Sequence, residues 1–567
     1  MPTKVDLTRL VWEEKEHEAR GGRNGGLLKS QGNAFRQGIQ ADVPQVLCGG
    51  VTIPSSNREG FVEQIARWIA ILSLGLLPVL ADAQSKAAAE ERTARYLQSV
   101  RSQPLLALAF LREMPKGGDL HNHLSGSIYA ESWIDFAVDD GLCVDRTTAV
   151  LIAPPCDASC DKFSSKPAVS CAYGDHILYN TMIDGWSMRN WIPGEESGHD
   201  HFFATFDKFG LASHNHTADM IGEAVRQAAA DHLQFLELMH TADGAGAAQL
   251  GAKIGWDDEL PKLREKLLAG GLKDVVAATS KMLTADEGKM RAGLKCGTPE
   301  AEPGCEVTVR YLYQVLRGLA PEQVFAQILL GFELASADPR FVGLNLVMPE
   351  DWYVPMHDFR LHMKMLNYLH EIYPRVHISL HAGELAMGLV PPDGLTFHIR
   401  ESVERGHAER IGHGVDVMNE RDPLGLLREM ADRNVLVEIC LTSNDVILGV
   451  NGDGHPLPVY MKYGVPVALA TDDEGVSRSD MTHEYLRAVG DFGLITYQDL
   501  KRMARNSLEH SFLPGASLWS DAKSLRVVGA CAGLKPSTMC QKFLDGSERA
   551  TVEWKLEGEF GKFEKRY

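Results

Sequence analysis

Short apolar runs of strand length recur along most of the chain and alternate with helix-like patterns. Amphipathic stretches such as Leu361–Leu369, Phe397–Arg405 and Met481–Val489 occupy intervals between the runs. Eight strands that alternate with helices predict a (β/α)₈ TIM barrel of the α/β class. A doubly wound open sheet is the alternative, but the Gly-rich phosphate fingerprint expected after its first strand is missing. The predicted strands are Asp119–His123, His232–Met239, Val307–Leu316, Phe341–Val347, Val376–His381, Arg410–Val415, Leu436–Leu441 and Pro466–Thr471.

Other patterns flank the predicted barrel and interrupt it. An alanine- and leucine-rich helical pattern precedes the first strand, and Pro104 breaks it. Insertions are predicted at about 140–200, which holds four cysteines, and at about 241–300, which looks helical. We therefore predict an N-terminal helical segment at 84–113, the barrel at 114–514, and a C-terminal tail at 515–567 that wraps the barrel without a catalytic role.

The most apolar stretch of the chain is Trp68–Leu80, which follows a basic residue and precedes Ala81-Asp82-Ala83. A positive residue, an apolar core and small residues at the cut are the parts of a secretory signal. We predict a signal peptide at about 62–83, and a mature protein that begins near Gln84 and is periplasmic or secreted. The polar, glycine-rich residues before it are predicted to be a non-native extension of this leader, residues 1–83. A buried or interfacial helix of the folded domain is the alternative for the apolar stretch.

Composition and charge narrow the class of protein. The 567 residues include 57 Lys and Arg against 76 Asp and Glu, a formal net charge of −19. An acidic chain is a poor partner for the phosphate backbone of nucleic acids, which wants a basic surface. No apolar run reaches the roughly 18 residues that a membrane-spanning helix needs. We therefore predict a globular protein that, once mature, binds neither nucleic acid nor membrane.

The ten cysteines fit an oxidising compartment. Cys48 lies in the leader, and Cys440 lies in an apolar run and is predicted to be a buried thiol. The other eight form local groups of even number in loop-like sequence, which favours disulfides over a zinc site because no Cys-x-x-Cys pair is present. The pairing within the first group is left open. The groups are Cys143/Cys156/Cys160/Cys171, Cys296/Cys305 and Cys531/Cys540.

Metal-binding residue types stand at the ends of three predicted strands, and His413 lies in a fourth. His121 and His123, two residues apart, project from the same face of the first strand. His381 ends the fifth strand and Asp472 follows the eighth. Because the strands of a (β/α)₈ barrel all end at the face that carries the active site, these side chains are predicted to converge. Three imidazoles and one carboxylate, with room for a water, suit zinc.

Sequence motifs in this order resemble the adenosine deaminase family of metal-dependent hydrolases. The resemblance is nearest to its secreted, growth-factor-related branch, which also has a leader, an N-terminal helical segment and a disulfide-bearing insertion after the first strand. The motifs are MPKGGDLHNHLSGSIY (114–129), LHAGE (380–384), RIGHGVDV (410–417), LTSND (441–445), ALATDDEGV (468–476) and NSLEHSF (506–512), and FFATFDKF (202–209) matches the element after the insertion.

The resemblance implies a catalytic role for residues beside the predicted ligands. One Zn²⁺ per chain would be held by His121, His123, His381 and Asp472. Glu384 would protonate N1 of the purine as a general acid, and His413 would orient the attacking oxygen and stabilise its charge. Asp473 would accept a hydrogen bond from the same oxygen. The implied reaction is the hydrolytic deamination of adenosine or 2′-deoxyadenosine to inosine or 2′-deoxyinosine.

Substrate contacts are less well defined by the motifs. Ser125 takes the position where many members of the family have an aspartate near the ribose, and Met348 replaces a glycine whose N–H contacts the purine. Gly383 and Asp473 are further candidates for substrate contact. In the insertion, a lid or a core cluster of aromatic residues would both explain Trp186, Arg189 and Trp191.

Other functions remain open at this point. Deamination of AMP or adenine is a second enzymatic reading, although no basic run that would hold a 5′-phosphate lies next to the motifs. A secreted, non-catalytic protein that binds nucleosides on the same barrel is a third. The expected partner is a small purine nucleoside, and a homodimer is plausible for this branch.

Overall fold

Eight parallel strands form the centre of the molecule, in a computed structural model that describes residues 86–534 and 537–567. Each strand pairs with the next one along the chain, and the helices lie between successive strands. This is the (β/α)₈ TIM barrel that the alternation of apolar runs predicts. The strands are β1 (Gly117–His123), β2 (Leu233–His240), β3 (Thr308–Leu316), β4 (Phe341–Val347), β5 (His377–Ala382), β6 (Arg410–His413), β7 (Leu436–Ile439) and β8 (Val467–Leu469).

The barrel closes beside the predicted metal ligands. A single parallel bridge joins Asn122 of β1 to Asp472, three residues after β8. Two backbone hydrogen bonds form it: Asp472 N–H donates to the His121 carbonyl at 2.8 Å, and His123 N–H donates to the Asp472 carbonyl at 3.2 Å. The closing contact of the barrel therefore sets the spacing of three predicted ligands.

Helices surround the barrel and build its two insertions. Segment 140–200 contains a small hairpin, Cys143–Val144 with Leu151–Ile152, and segment 241–300 is helical as predicted. The α-helices up to β4 are Ala130–Asp139, His176–Gly185, Gly198–Phe209, Thr217–Ala230, Gly246–Ile254, Leu260–Ala269, Leu272–Gly293 and Pro321–Ala337. Those after β4 are Tyr353–His357, Phe359–Ile372, His398–Glu404, Pro423–Asp432, Leu441–Leu448, Leu457–Tyr463, Glu474–Ser477, Met481–Asp491 and Tyr497–Glu509.

The two ends of the described chain pack together on the barrel. Helical residues 86–100 and Pro104–Glu113 form the N-terminal segment. The tail contains a hairpin, Trp519–Asp521 with Arg526–Val527, and the helices Thr538–Leu544 and Glu548–Phe563. Lys501 binds both ends, with its Nζ 2.7 Å from Glu90 and 2.6 Å from Glu564.

Four disulfides confirm the prediction for the eight clustered cysteines, and the Cys440 thiol is free and buried. The first group pairs as Cys143–Cys156 and Cys160–Cys171. The predicted leader and Cys48 lie outside the described residues. Among the helices that are described, none is both long and apolar enough to span a bilayer.

Candidate active site

Four histidines meet at the C-terminal ends of the strands, as the positions of their motifs predict. His121 and His123 come from β1, His381 from β5 and His413 from β6. The Nε2 atoms of His123 and His381 lie 3.2 Å apart, and each of His121 and His123 approaches Asp472 Oδ1, at 3.5 and 3.3 Å. All these side chains are buried or nearly so.

Each of the three predicted histidine ligands forms a hydrogen bond from its Nδ1 atom to a neighbouring polar side chain. Each partner offers an oxygen, so each Nδ1 donates its hydrogen and each Nε2 keeps its lone pair for a metal. The orientation of Asn345 follows from the backbone, because its Oδ1 also accepts the His381 N–H at 3.1 Å. The three contacts are His121 with Glu438 at 2.7 Å, His123 with Gln314 at 2.8 Å and His381 with Asn345 at 2.8 Å.

The buried nitrogens fit a divalent cation. Two Nε2 lone pairs at 3.2 Å repel each other unless a cation lies between them, and His121 Nε2 is buried without a hydrogen-bond partner. Burial opposes a charged imidazole, yet the nearby carboxylates of Asp472 and Glu438 raise the pKa of His121 to about 10. Surroundings that hold a proton this strongly also favour a metal that displaces it.

His413 belongs to a different hydrogen-bonded chain, which fixes its proton. The Leu457 N–H donates to His455 Nδ1 at 3.1 Å, so the proton of His455 lies on Nε2 and is donated to Asn444 Oδ1 at 3.0 Å. Asn444 Nδ2 then donates to His413 Nδ1 at 3.0 Å. Because burial lowers the pKa of His413 to about 3, its single hydrogen is on Nε2. His413 is therefore a hydrogen-bond donor to the site, whereas the other three histidines present lone pairs.

The two adjacent aspartates have different surroundings. Ser443 donates to Asp472 Oδ2 at 2.6 Å, whereas Asp473 Oδ1 is buried without a partner. Burial and the nearby charge of Asp472 raise the pKa of Asp473 to about 8. Gly126 permits this arrangement, because a Cβ there would lie 1.5 Å from Asp473 Oδ1.

Glu384 is placed as a proton donor. Its Oε1 lies 3.6 Å from His413 Nε2. Burial, together with the negative charges of Asp472 and Glu350, raises its pKa well above the usual range of a glutamate. Glu350 also binds the turn beneath it, because its two carboxylate oxygens accept the N–H groups of Gly383 and Glu384 at 3.1 and 2.9 Å. Burial thus favours the protonated form of this carboxyl group, which is the form that can donate a proton.

Arg317 joins two strand ends at the site. This buried side chain donates to the carbonyls of Met348 at 3.1 Å and His381 at 3.0 Å. Met348 has a φ of 90°, in the left-handed region that favours glycine. A methionine at the position of the family's glycine is therefore held in glycine-like backbone geometry.

A cavity of about 370 Å³ contains the predicted catalytic groups, with Ser125 and Met348 in its wall. Gly383 does not line this cavity, and its N–H is already bound by Glu350. The remaining wall is mostly apolar and includes Phe202, Leu316, Val347 and Trp352.

The residues considered for a lid do not reach the cavity. Trp186 is 1% exposed and its Nε1 donates to the Ala149 carbonyl at 2.7 Å, which makes it a core residue of the insertion. Arg189 pairs with Asp184 at 2.5 Å, and Trp191 donates to the Glu196 carbonyl at 3.1 Å. These contacts lie within the insertion and favour the alternative of a core cluster, and the lid role stays a prediction. Aromatic residues of the next helix, Phe202, Phe203 and Phe206, line the cavity instead.

Several supporting residues escaped the sequence analysis. Gln314 lies in a strand that also holds Thr308 and Arg310, but Asn345 and Glu438 each stand alone as a polar residue inside an otherwise apolar strand. A buried polar group needs a partner, so a lone polar residue in a core strand is a signal that could have found them. Arg317, Asn444 and Glu350 lie in loops or helix ends and carry no comparable signal.

The fold and the site together define a class, the TIM barrels with a cluster of potential His/Asp metal ligands at the C-terminal ends of the strands. A family model described as adenosine deaminase matches residues 275–518. An adenosine deaminase from Escherichia coli (strain SE11) is 36% identical over 138 residues, which are 24% of this chain and 38% of that protein. One from Clostridium perfringens (strain 13) is 34% identical over 136 residues, 24% of this chain and 37% of that protein. Over these stretches the chain is similar to the adenosine deaminase family, and it spans less than two fifths of the length of these curated relatives.

Solved structures with similar folds include an adenine deaminase from Arthrobacter aurescens, with a TM-score of 0.46 and 17% identity, covering 70% of this chain and 94% of that one. An N6-methyl-AMP deaminase from Arabidopsis thaliana has a TM-score of 0.45 and 20% identity, covering 72% of this chain and 94% of that one.

Proposed function

We propose that this protein is a zinc-dependent deaminase that converts adenosine and 2′-deoxyadenosine to inosine and 2′-deoxyinosine with release of ammonia. The observation that carries the proposal is Glu384. It is a buried carboxyl group whose pKa is raised by its surroundings, in the same cavity as a set of side chains that can bind a metal.

The donor set favours zinc among divalent metals. The Nε2 atoms of His121, His123 and His381 with one oxygen of Asp472 give three nitrogens and one oxygen, whereas magnesium and calcium prefer oxygen ligands alone. When bound, zinc lowers the pKa of a coordinated water to roughly 7.

Three side chains perform the remaining chemistry. Glu384 gives its proton to N1 of the purine, which makes C6 electron-poor. As the oxygen of water bonds to C6, Asp473 accepts a hydrogen bond from it, and the Nε2–H of His413 stabilises its charge. One hydrogen of the water passes to the amino nitrogen as its bond to C6 breaks, which releases ammonia and leaves a carbonyl at C6, and the other hydrogen restores the proton of Glu384.

The charge of the cavity favours a nucleoside over a nucleotide. Among the described residues, those that line it include no lysine or arginine, whereas Asp207, Asp472, Asp473 and Glu384 are present. A 5′-phosphate in this cavity would lack a cation to balance it. AMP is therefore expected to be a poor substrate.

The fall in absorbance near the adenosine maximum tests the function. Adenosine and 2′-deoxyadenosine are expected to react, AMP and adenine to react at least about 100-fold more slowly in kcat/KM, and a chelator to abolish the reaction until zinc is restored. A protein that leaves all four compounds unchanged after zinc loading is not a deaminase of this class. A binding protein on the same barrel would then be favoured.

A Glu384→Gln variant separates metal binding from turnover. Since glutamine matches the shape of glutamate but cannot donate the proton, kcat is expected to fall by roughly 10²- to 10⁴-fold with zinc content unchanged. Metal analysis and initial rates of the same preparation measure both. Retained turnover would contradict the assignment of the acid.

We also propose that the protein acts in the periplasm or outside the cell. Four disulfides suit an oxidising environment. N-terminal sequencing of the exported protein tests the predicted start near Gln84, and a mature chain that starts at Met1 would contradict it.

A further inference from the structure

A second cavity adjoins the catalytic one. It measures about 520 Å³, and Ser125 and Gln314 line both cavities. Gln314 accepts the hydrogen of His123 Nδ1 at 2.8 Å, so the second cavity begins one side chain away from a predicted metal ligand. A substrate held at the metal can therefore continue past Ser125 into this space.

The second insertion, at about 241–300, builds one side of the second cavity. Its walls are the end of β2 from Met239 to Gly244, residues of segment 213–217, and helix Leu272–Gly293. The catalytic cavity of 370 Å³ lies within the range, roughly 300 to 1,000 Å³, that encloses a small ligand by itself. The additional 520 Å³ is more than the hydroxymethyl end of a ribose would fill.

The charges in the second cavity disfavour a phosphate. Lys289 Nζ is 3.2 Å from Asp286 Oδ1, so its charge is balanced. Asp243 adds a second carboxylate, held by Tyr313 Oη at 3.0 Å and by the Ala247 N–H at 2.7 Å. His240 adds no charge near neutral pH, because burial lowers its pKa to about 4. One cation therefore faces two carboxylates.

The same lining suits a flexible chain with a zwitterionic end. Three methionines, Met220, Met239 and Met282, supply an adaptable apolar wall. Lys289 and Asp286, three residues apart on one helix, place an ammonium and a carboxylate side by side. The carboxylate of an amino-acid group can pair with Lys289, and its ammonium can pair with Asp286, in place of the ion pair between these two side chains.

We infer that the second cavity receives a substituent on the sugar of the substrate, and that the enzyme deaminates adenosines whose sugar carries a flexible chain ending in an amino-acid group. The inference rests on the proposed deaminase function. The chemistry at C6 is unchanged: water adds at C6 and ammonia leaves.

Substrate comparison tests the inference on the zinc-loaded full chain. The probes are adenosine, S-adenosylhomocysteine, which carries an amino-acid chain on the 5′ carbon, and AMP, which carries a phosphate there. We expect kcat/KM for S-adenosylhomocysteine to lie within about tenfold of that for adenosine, and that for AMP to be at least about 100-fold lower. If adenosine reacts and S-adenosylhomocysteine does not, the inference is overturned and the proposed function stands. If no probe reacts, the proposed function itself fails.

A matched pair of variants locates the substituent. Met282, 45% exposed, lies on the wall of the second cavity and outside the catalytic one. Met282→Trp is expected to lower kcat/KM for S-adenosylhomocysteine at least about tenfold and to change that for adenosine less than about twofold. Met539→Trp is the control, since Met539 is an exposed helical methionine outside both cavities. Equal effects of Met282→Trp on both substrates would overturn the placement.

Discussion

At the residue scale, hydrogen bonds outside the substrate cavity decide which ring nitrogen of His413 carries the hydrogen. A backbone N–H, that of Leu457, decides which atoms donate and which accept along this series of hydrogen bonds, because a backbone N–H can only donate. His455 must then donate to Asn444, and Asn444 must in turn donate to His413. A buried neutral imidazole has two possible tautomers, and only the one with hydrogen on Nε2 can donate to an oxygen at C6.

Replacement of His455 tests this chain. His455→Leu removes the donor to Asn444 Oδ1, so the amide can turn and the His413 proton can move to Nδ1. We expect kcat to fall roughly 10- to 100-fold, with zinc content and KM little changed. Steady-state kinetics and ¹⁵N NMR of the His413 imidazole measure the rate and the tautomer.

His455→Gln is the matched control for that variant. The glutamine amide offers an N–H at a similar reach, so this variant should keep kcat within about fivefold of the wild type. If the leucine and glutamine variants lose equal activity, His455 acts by packing alone, and the proposed control of the tautomer is refuted.

At the element scale, the strands were more predictable than their surroundings. A core strand of a parallel barrel is apolar along its length, so its run is visible in the sequence, and its last polar residue marks the active-site face. The observed β4, Phe341–Val347, agrees with its prediction, whereas the predicted Arg410–Val415 ends as a strand at His413. His413 has a φ of 70°, which turns the backbone out of the extended conformation.

The lid could not be assigned from the same kind of pattern. Aromatic residues occur both at Trp186 and at Phe202, and composition does not distinguish a ring in an insertion core from one in a cavity wall. The contacts that decide it are long-range, such as the hydrogen bond from Trp186 to Ala149. Partners such as Asn345 are also set by tertiary packing, although their polarity within a strand marks them as unusual.

The last helix of the barrel joins both ends of the described chain through Lys501. Its side chain is 5% exposed and lies between Glu90 and Glu564. Lys501→Met would leave Glu564 buried without its cation, and we expect a loss of about 2 to 4 kcal/mol in the free energy of unfolding. Denaturant titration measures this loss.

Lys562→Met provides the comparison for the lysine prediction. Lys562 is 70% exposed and pairs with Glu559 on the same helix at 2.7 Å. Exposed pairs of this kind contribute little, so a loss under about 0.5 kcal/mol is expected. Similar losses in the two variants would show that Lys501 does not tie the segments together.

At the scale of the whole molecule, the metal site spans the closure of the barrel. The predicted ligands come from β1, β5 and the end of β8, and the single bridge between Asn122 and Asp472 closes the ring of strands. A metal bound by the folded state alone stabilises it by mass action.

Metal removal is therefore expected to destabilise the whole barrel. The apparent melting temperature should fall by roughly 2 to 10 °C on chelation and recover when zinc is restored, but not with calcium. Differential scanning calorimetry measures the shift. A His121→Ala variant serves as the control, since it should melt at a similar temperature with and without chelator. Equal melting of the wild type in both conditions would contradict the assigned ligands.

The four disulfides share a feature with a consequence for how the chain matures. Each joins two cysteines that are neighbours among the clustered eight, across only 9 to 13 residues. Loops of this size each restrict the unfolded chain by about 3 kcal/mol in the entropic account. If the cysteines meet an oxidant in the order in which they emerge, pairing each with the next one produces the native set. Maturation therefore needs an oxidising catalyst more than one that reshuffles wrong pairs.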